Sequence, residues 1–348
     1  VKAAVLESPG RVVYRDVPDP VVDEHSALIR VEAVAVCGSD VRIIDHGNPR
    51  VALPAVIGHE TAGVVIEAGG AVTRVRVGDR VAVGADVPCG ACRWCRNGLG
   101  NNCAVNYAVG YQIPGAFAQY MLLPRLVLEE GPVTPIGDGL GYDEAALAEP
   151  LACAINGLEL AGMGLGKSLV IIGLGPIGCM MIDLARVMGA TRVIGVQRSK
   201  LRMEIAKEYG ADAYIASDEE DVVTRCREET GGEGPDVVMT TCGAVEAHEQ
   251  AVEMVAHRGV VNLFGGLARD ARPMSLLSNT VHYKECFVTG SHGCVPRHHE
   301  LAVSLLEKGM VRVRPLITHT FALSRIDEAL TVMRRRLGMK IVMHPGEL

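Results

Sequence analysis

The first third of the chain alternates short apolar runs with Gly, Asp and Pro. KAAVL (2–6), RVVYRDV (11–17), SALIRVEAVAV (26–36), AGVVIEAG (62–69) and DRVAVGA (79–85) are rich in β-branched residues. Runs of this length, bounded by turn formers, predict strands. Gly78-Asp79 marks a turn between two of them. A partly closed, barrel-like domain of antiparallel strands follows. Residues 89–103, PCGACRWCRNGLGNNC with its leading proline, carry too many Gly and Asn for a helix or strand. They predict a lobe projecting from that domain.

The pattern changes near residue 144. EAALAEPLACAINGLELA (144–161) has helical spacing, with Pro150 bending or restarting it. SLVII (168–172), a glycine turn, CMMIDLARVMG (179–189) and TRVIGVQ (191–197) then read strand, turn, helix, strand. The same rhythm returns in KLRMEIAKEYGADAYI (200–215), and in PDVVMTTC, AHEQAVEMVAHRG and VVNLFGG (235–266). Alternation of this kind predicts a doubly wound parallel sheet covered by helices, an α/β domain beside the mainly β one. The tail alternates again: a helix at 299–309, ITHTF, a helix at 325–336 and KIVMHP. Its last strand is placed to return to the first domain.

Length agrees with two domains, since 348 residues exceed what one growing core holds. A formal charge of -7 without a basic block argues against a nucleic-acid partner. Arg334–Arg336 form the tightest basic run and fall on a helical pattern as a solvated face. No stretch has the unbroken apolar length of a membrane span, and VKAAVLESPG does not read as a secretory signal. Eleven cysteines, four clustered and seven scattered, do not form a disulfide framework. They suit a cytoplasmic, metal-carrying protein.

GLGPIG sets Gly173, Gly175 and Gly178 between an apolar strand and an apolar-faced helix. In that context Gly173 makes the tight turn, Gly175 admits a pyrophosphate and Gly178 allows close packing. Pro176 and Ile177 complete the turn, and the anion sits on free amides at the helix start. The next strand ends in Gln197, Arg198 and Ser199. An NAD site usually offers an acid there for the ribose hydroxyls; none is present. Arg198, with Ser199 and Lys200, suits a 2′-phosphate, so NADP is favoured over NAD. Arg198 also reads simply as a surface residue beside the adenosine.

Cys89, Cys92, Cys95 and Cys103 offer four soft ligands on short links. Closed Cys₄ sets of this kind hold structural zinc. Part of the run is also compatible with an iron–sulfur pattern. A second set is scattered: Cys37 in AVCGSD, His59 and Glu60 in VIGHETAG, and Glu149 in LAEPLAC. One sulfur, one imidazole and one or two carboxylates suit a catalytic zinc with room for substrate. Ser39 has a hydroxyl able to relay the substrate proton. Taken singly, each of these reads as an ordinary residue: a buried thiol, a bonded histidine, a helix carboxylate, a turn hydroxyl. Asp40 reads equally as structural.

At these residues the sequence resembles the zinc-dependent medium-chain alcohol and polyol dehydrogenases. CGSD (37–40), GHETAG (58–63), the cysteine lobe, EPLAC (149–153) and GLGPIG (173–178) follow in family order across essentially the whole chain. The likeness is to the branch with sorbitol and threonine dehydrogenases. It implies a GroES-like catalytic domain over 1–154 with a structural-zinc lobe at 86–105. It further implies a Rossmann domain over 155–294, a return over 295–348, and an active site in the cleft between them. Cys37 and His59 would be direct zinc ligands, with Glu60 a ligand or close partner and Glu149 opposite, bound directly or through water. Ser39 would start a proton relay, and Gly290 and Ser291 would sit near the nicotinamide. Homodimers or homotetramers are the family habit.

Two departures stand out. The family often has histidine five residues after the first zinc cysteine; here Arg42 occupies that place and, holding its proton, cannot relay one. Water, the ribose and His46 are the other ends open to the path. The second departure is Gln197. His298 and His299 are adjacent and read as surface residues. The expected activity is hydride transfer between a polar secondary alcohol (a polyol, cyclitol or amino alcohol) and NAD(P)+, giving a ketone. A zinc-free quinone or enone reductase and a non-enzymatic zinc-organised interaction module are the alternatives.

Overall fold

The computed structural model describes residues 1–347. Its chain divides into two compact units: 1–152 with 293–309 and 313–348, and 153–292 with 310–312.

The first unit begins with β1 (Lys2–Ser8), β2 (Arg11–Asp16), β3 (Ala27–Ala35), α1 (Gly38–His46), β4 (Ala55–Val56), β5 (Glu60–Ala68), β6 (Arg80–Val83) and β7 (Asp86–Val87). It continues through α2 (Arg93–Arg96), β8 (Tyr107–Ala108), β9 (Tyr120–Leu123), α3 (Arg125–Glu130), β10 (Val133–Pro135) and α4 (Tyr142–Ala146), and α5 (Ala148–Leu160) begins in it and runs on into the second unit. The second carries β11 (Ser168–Ile172), α6 (Pro176–Val187), β12 (Arg192–Gln197), α7 (Lys200–Lys207), β13 (Ala213–Ala216), α8 (Val222–Glu228), β14 (Val237–Thr240), α9 (Val245–Met254), β15 (Val260–Leu263), α10 (Ser278–Lys284) and β16 (Phe287–Gly290). The chain re-enters the first unit with α11 (Pro296–Glu307), β17 (Ile317–Ala322), α12 (Ile326–Arg334) and β18 (Lys340–His344).

In the first unit, a sheet in the order β10-β6-β5-β3-β18-β17, with β9 also on β3, surrounds an apolar core. Ile29, Val31, Val65, Val81, Phe117, Leu123 and Ile341 are buried there. The strands alternate faces with period two, so these residues share the inner side. Pairing is antiparallel except between β17 and β18. The last strand thus lies inside the sheet built by the first third of the chain. Pro150 falls in the first turn of α5, where its missing N–H has no intrahelical role; α4 and α5 are two helices, the restart that proline imposes.

The second unit is an all-parallel six-stranded sheet in the order β13-β12-β11-β14-β15-β16. The order reverses beside β11, the strand that precedes the glycine turn. In open α/β sheets this switch point is where ligands bind.

Two details differ from expectation. The cysteine lobe contains one helical turn, α2, and a short 3-10 turn at Gly100–Asn102, despite its Gly and Asn content. The turns are short enough to close between glycines. His298 and His299 are buried, at 2% and 0% exposure, rather than on the surface. Pro296 starts α11, so the two histidines fall in its first turn. There His298 Nδ1 accepts from the Val295 N–H at 3.1 Å, and His299 Nδ1 lies 2.8 Å from Thr134 Oγ1. Burial pushes His299 down to about 3, so it stays neutral. Arg334–Arg336 are exposed as expected, with Arg334 paired to Asp45.

Candidate active site and metal centres

The thiol, imidazole and carboxylate of Cys37, His59 and Glu60 converge: their ligand atoms all lie within 4.8 Å of one another. Cys37 precedes the first residue of α1, and Glu60 is the first residue of β5. His59 follows Gly58, whose φ of +97° and the Phe117 ring 2.8 Å from where a Cβ would stand both demand glycine. A bend that only glycine allows therefore delivers the imidazole.

Asp40, fully buried, orients two of the three ligands. Its Oδ2 accepts from the Cys37 N–H at 2.8 Å, and its Oδ1 stands 3.3 Å from His59 Nδ1. A carboxylate on one ring nitrogen is the arrangement that orients a metal-binding histidine through its other nitrogen. Burial alone would lower the pKa of His59; Asp40 and Cys37 outweigh it and raise it well above the ordinary value. Ser39 Oγ is 3.4 Å from His59 Nε2.

Lys340, which the sequence reading missed, bonds both oxygens of Glu60. The register explains how. Glu60 on β5 opposes Ala35 on β3, which opposes Val342 on β18. Residues in register share a face, and Lys340 lies two positions from Val342, so its side chain emerges on the Glu60 side. The small Ala35 lies between them. Burial would lower the pKa of Lys340, but Glu60, Cys37 and Glu149 raise it, so the ammonium stays charged.

Glu149 is buried but stands outside the tight trio. Burial, with Glu60 and Asp86 adding to it, pushes it up to about 7 against the pull of His59 and Lys340. Its Cγ lies 3.3 Å from where a Cβ on Gly84 would be, and His299 Cδ2 lies 3.1 Å from that point. Arg42 and His46 are both exposed on α1. Tyr111, also missed, stands beside the imidazole, its ring centroid 6.1 Å from that of His59 and tilted by 48°. The sequence carried a faint signal for Lys340, a lysine opening an apolar strand. For Tyr111, inside GYQIPG, it carried none.

The four lobe thiols also lie within 4.8 Å of one another. Cys89 and Cys95 are 3.9 Å apart and Cys92 and Cys95 3.4 Å. Tetrahedral zinc with bonds of about 2.3 Å needs sulfurs about 3.8 Å apart, so the set fits that ion. The Ala104 and Cys95 backbone amides hold Cys92 down to about 6, while burial and the neighbouring thiols push Cys95 up to about 12. The first proton leaves easily and later ones do not, which is what a dication reverses.

In the second unit, Gly173 has φ +107°, and a Cβ on Gly178 would stand 2.2 Å from the Gly173 carbonyl oxygen. Pro176 and Ile177 open α6. Gly175 has open space where its Cβ would be, with only Arg202 Nη1 near, at 3.8 Å. A turn with room at the helix start suits a pyrophosphate. Gln197 Oε1 accepts from the Arg198 and Ser199 N–H groups at 2.8 and 3.4 Å. Its oxygen is thus turned to its own backbone. Arg198 is exposed, and Lys200 pairs with Glu219. Gly290 ends β16, and Ser291 Oγ donates to Asn262 Oδ1 at 2.8 Å.

Comparison with known proteins agrees with this chemistry. Residues 23–132 match the alcohol dehydrogenase GroES-like domain, and residues 176–308 match the zinc-binding dehydrogenase family. The L-threonine 3-dehydrogenase of Bacillus licheniformis is 31% identical over 349 residues, covering 98% of both chains. The sorbitol dehydrogenase of Halalkalibacterium halodurans is 32% identical over 338 residues, covering 97% of this chain and 96% of its own. A zinc-binding dehydrogenase from Sinorhizobium meliloti 1021, solved bound to NADP, superposes with a TM-score of 0.92 at 30% identity, covering 99% of each chain. With its paired thiolate and mixed-ligand clusters, its barrel unit and its dinucleotide-type sheet, the chain belongs to the zinc-binding medium-chain dehydrogenases, among relatives of the threonine, sorbitol and polyol dehydrogenases.

Proposed function

We propose that the chain oxidises a polyol, cyclitol or amino alcohol at a secondary carbon, with NADP+ as the preferred hydride acceptor. The broader activity, NAD(P)-dependent interconversion of a polar secondary alcohol and a ketone, follows from the family and the two ligand clusters. The observation that carries the reading is the convergence of Cys37, His59 and Glu60 with Asp40 clamping two of them. In this reading Cys37 and His59 hold a catalytic zinc, with Glu60 as ligand or exchanging partner and Glu149 beside it, directly or through water. Such an ion supplies Lewis acidity to the substrate oxygen when bound. Ser39 takes the substrate proton. Cys89, Cys92, Cys95 and Cys103 hold a structural zinc.

Relatives named for threonine and for sorbitol support a polar, hydroxylated substrate. The test is a panel of polyols, inositols, amino alcohols and simple alcohols with both cofactors, run beside Cys37→Ala. The wild type should form ketone from a polar member; Cys37→Ala should bind one zinc instead of two and lose turnover. Two zinc ions in the variant, or preference for simple apolar alcohols, would overturn the assignment.

Cofactor choice rests on Gln197, uncharged and turned to its backbone, and on Arg198, exposed beside it. Gly173, Gly175, Pro176, Ile177 and Gly178 take the pyrophosphate, and Gly290 and Ser291 the nicotinamide end. Arg198→Ala should weaken NADP+ by about tenfold or more, the worth of a charge-assisted bond, and leave NAD+ nearly unchanged. Equal loss for the two cofactors in fluorescence titrations would remove Arg198 from 2′-phosphate reading.

A homodimer or homotetramer is the proposed assembly. Phe287 and Val288 on edge strand β16 are 56% and 37% exposed, and Leu277 and Tyr283, earlier in the chain, are 75% and 71% exposed. Adjacent strand residues face opposite ways, so both sides of this edge are apolar and open. All eleven cysteines are free thiols, which supports a reducing, cytoplasmic setting. Among the described residues no helix is long and apolar enough to cross a membrane.

A further inference from the structure

Two loops meet beside the imidazole of His59. One, residues 47–54, joins α1 to β4; the other, residues 109–119, joins β8 to β9. The second is pressed onto the glycine that delivers His59. The Ala116 N–H donates to the Gly58 carbonyl at 3.0 Å, and a Cβ on Gly110 would stand 3.1 Å from the Gly58 nitrogen. Near its start this loop sets Tyr111 beside the site, its ring centroid 6.1 Å from that of His59.

Arg50 crosses from the first loop to the second. Asn48 Oδ1 accepts from its backbone N–H at 2.9 Å, and its guanidinium lies 4.8 Å over the Tyr111 ring. Nη2 donates to the Asn106 carbonyl and, at 3.4 Å, to Gln112 Oε1. Both acceptors are neutral oxygens, and among the described residues Arg50 forms no ion pair. Nε has no partner. Nη1 has none either, and it is not sealed from water as Nε is. Lys340, by contrast, is neutralised by Glu60. Arg50 is therefore a half-buried guanidinium that keeps a full positive charge and an open donor edge. A carboxylate or phosphate is the group that matches such an edge best.

We propose that Arg50 holds an acidic group of the substrate, so that the alcohol oxidised is a hydroxy acid or a polyol phosphate rather than a neutral polyol. The proposal rests on the alcohol-oxidising reading above and narrows its substrate class. The carbinol end lies at the cluster of Cys37, His59 and Glu60. A short carbon chain passes Tyr111, and its anionic end reaches Arg50. The Tyr111 ring face positions the guanidinium. Arg50 takes no proton and touches no reacting atom; it sets which alcohols bind.

The test compares one carbon skeleton in three charge states, on the skeleton that the wild type turns over fastest in the panel above. For a pentitol these are xylitol, xylonate and xylitol 5-phosphate, each with zinc-replete enzyme and saturating oxidised cofactor. The wild type should favour the carboxylate or the phosphate over the neutral polyol by about tenfold or more in kcat/KM, the worth of a hydrogen bond to a charged group. Whichever of the two leads names the anion. Arg50→Gln should erase that advantage, mainly by raising KM for the anion, with zinc content unchanged. Arg50→Lys, which keeps the charge but not the fork, should recover part of it. In the wild type, added salt should raise KM for the anion more than for the neutral polyol, a measurement that needs no variant to fold. Equal turnover of the three by the wild type, or a preference for the neutral polyol, overturns the proposal and leaves alcohol oxidation standing. A preference that survives Arg50→Gln overturns it as well. Equal losses for neutral and anionic substrates in that variant would show that Arg50 only staples the two loops, which also overturns it. An enzyme that oxidises no secondary alcohol of the panel sinks the alcohol reading and this one together.

Discussion

Lys340→Met is expected to lower the stability of zinc-free protein by about 3–5 kcal/mol, the cost of stripping one partner from a buried ion pair. Lys340 is 5% exposed and Glu60 0%, and the ammonium bonds both carboxylate oxygens. Its removal leaves a carboxylate sealed from water near the Cys37 thiol and the Glu149 carboxyl. Methionine nearly matches the lysine stem in shape, so packing is kept and the loss reports on charge. Glu60→Gln combined with Lys340→Met should recover most of it, because a neutral amide tolerates burial better than a lone carboxylate. Added zinc should also shrink the loss, since a dication beside Glu60 replaces the missing positive charge. Urea titrations followed by circular dichroism, with chelator and with zinc, measure all four cases. A single-variant cost below about 1 kcal/mol, in the range of an exposed pair, would show that Lys340 is not what neutralises Glu60.

The contrast between Cys37 and Lys340 shows what was legible before the fold was known. Cys37, His59 and Glu60 read singly as ordinary residues and became ligand candidates through motifs that resemble a family, and the glycine turn sat between a strand and a helix where its spacing has a physical meaning. Strand and helix periodicity also carried the parallel sheet and the sheet strands of the first unit. Lys340 lies 280 positions from Glu60. It becomes a partner only because β18 slots beside β3, a pairing that no local pattern encodes. Tyr111 reaches His59, and Arg50 lies over Tyr111, in the same way, through tertiary contacts that no local pattern encodes. His298 and His299 misled for a related reason. Two adjacent polar residues cannot both face outward or both inward on a strand, but in the first turn of a helix each found its own buried partner. Residues that act through long-range pairing are therefore those most easily missed, even when the candidate metal ligands lie in recognisable motifs.

Cys103→Ala is expected to release one of two zinc ions per chain and to unfold the cysteine lobe locally. Cys103 is the buried member of its set, and amides of Asn106, Cys89 and Val105 outweigh its burial to lower its pKa. With Cys92, it is a sulfur prepared to be a thiolate. Structural zinc supplies on the order of 10–16 kcal/mol of apparent binding free energy to small domains, and a three-cysteine remnant cannot close the tetrahedron. The lobe has little to replace that energy: between Cys89 and Leu99 no side chain is buried. Zinc analysis should give two ions for the wild type, one for Cys103→Ala, one for Cys37→Ala and none for the double variant. Hydrogen exchange should rise across 89–103 in Cys103→Ala and stay unchanged in the six-stranded parallel sheet. The boundary of the effect has a physical marker in Asp86, whose Oδ2 accepts from the Cys294 N–H at 2.8 Å and ties the root of the lobe to the returning chain. Protection should therefore survive at Asp86 and fail beyond it. Retention of two zinc ions by Cys103→Ala would mean that the remaining thiols close a site without it, and exchange unchanged along the lobe would mean that packing, not the ion, holds it.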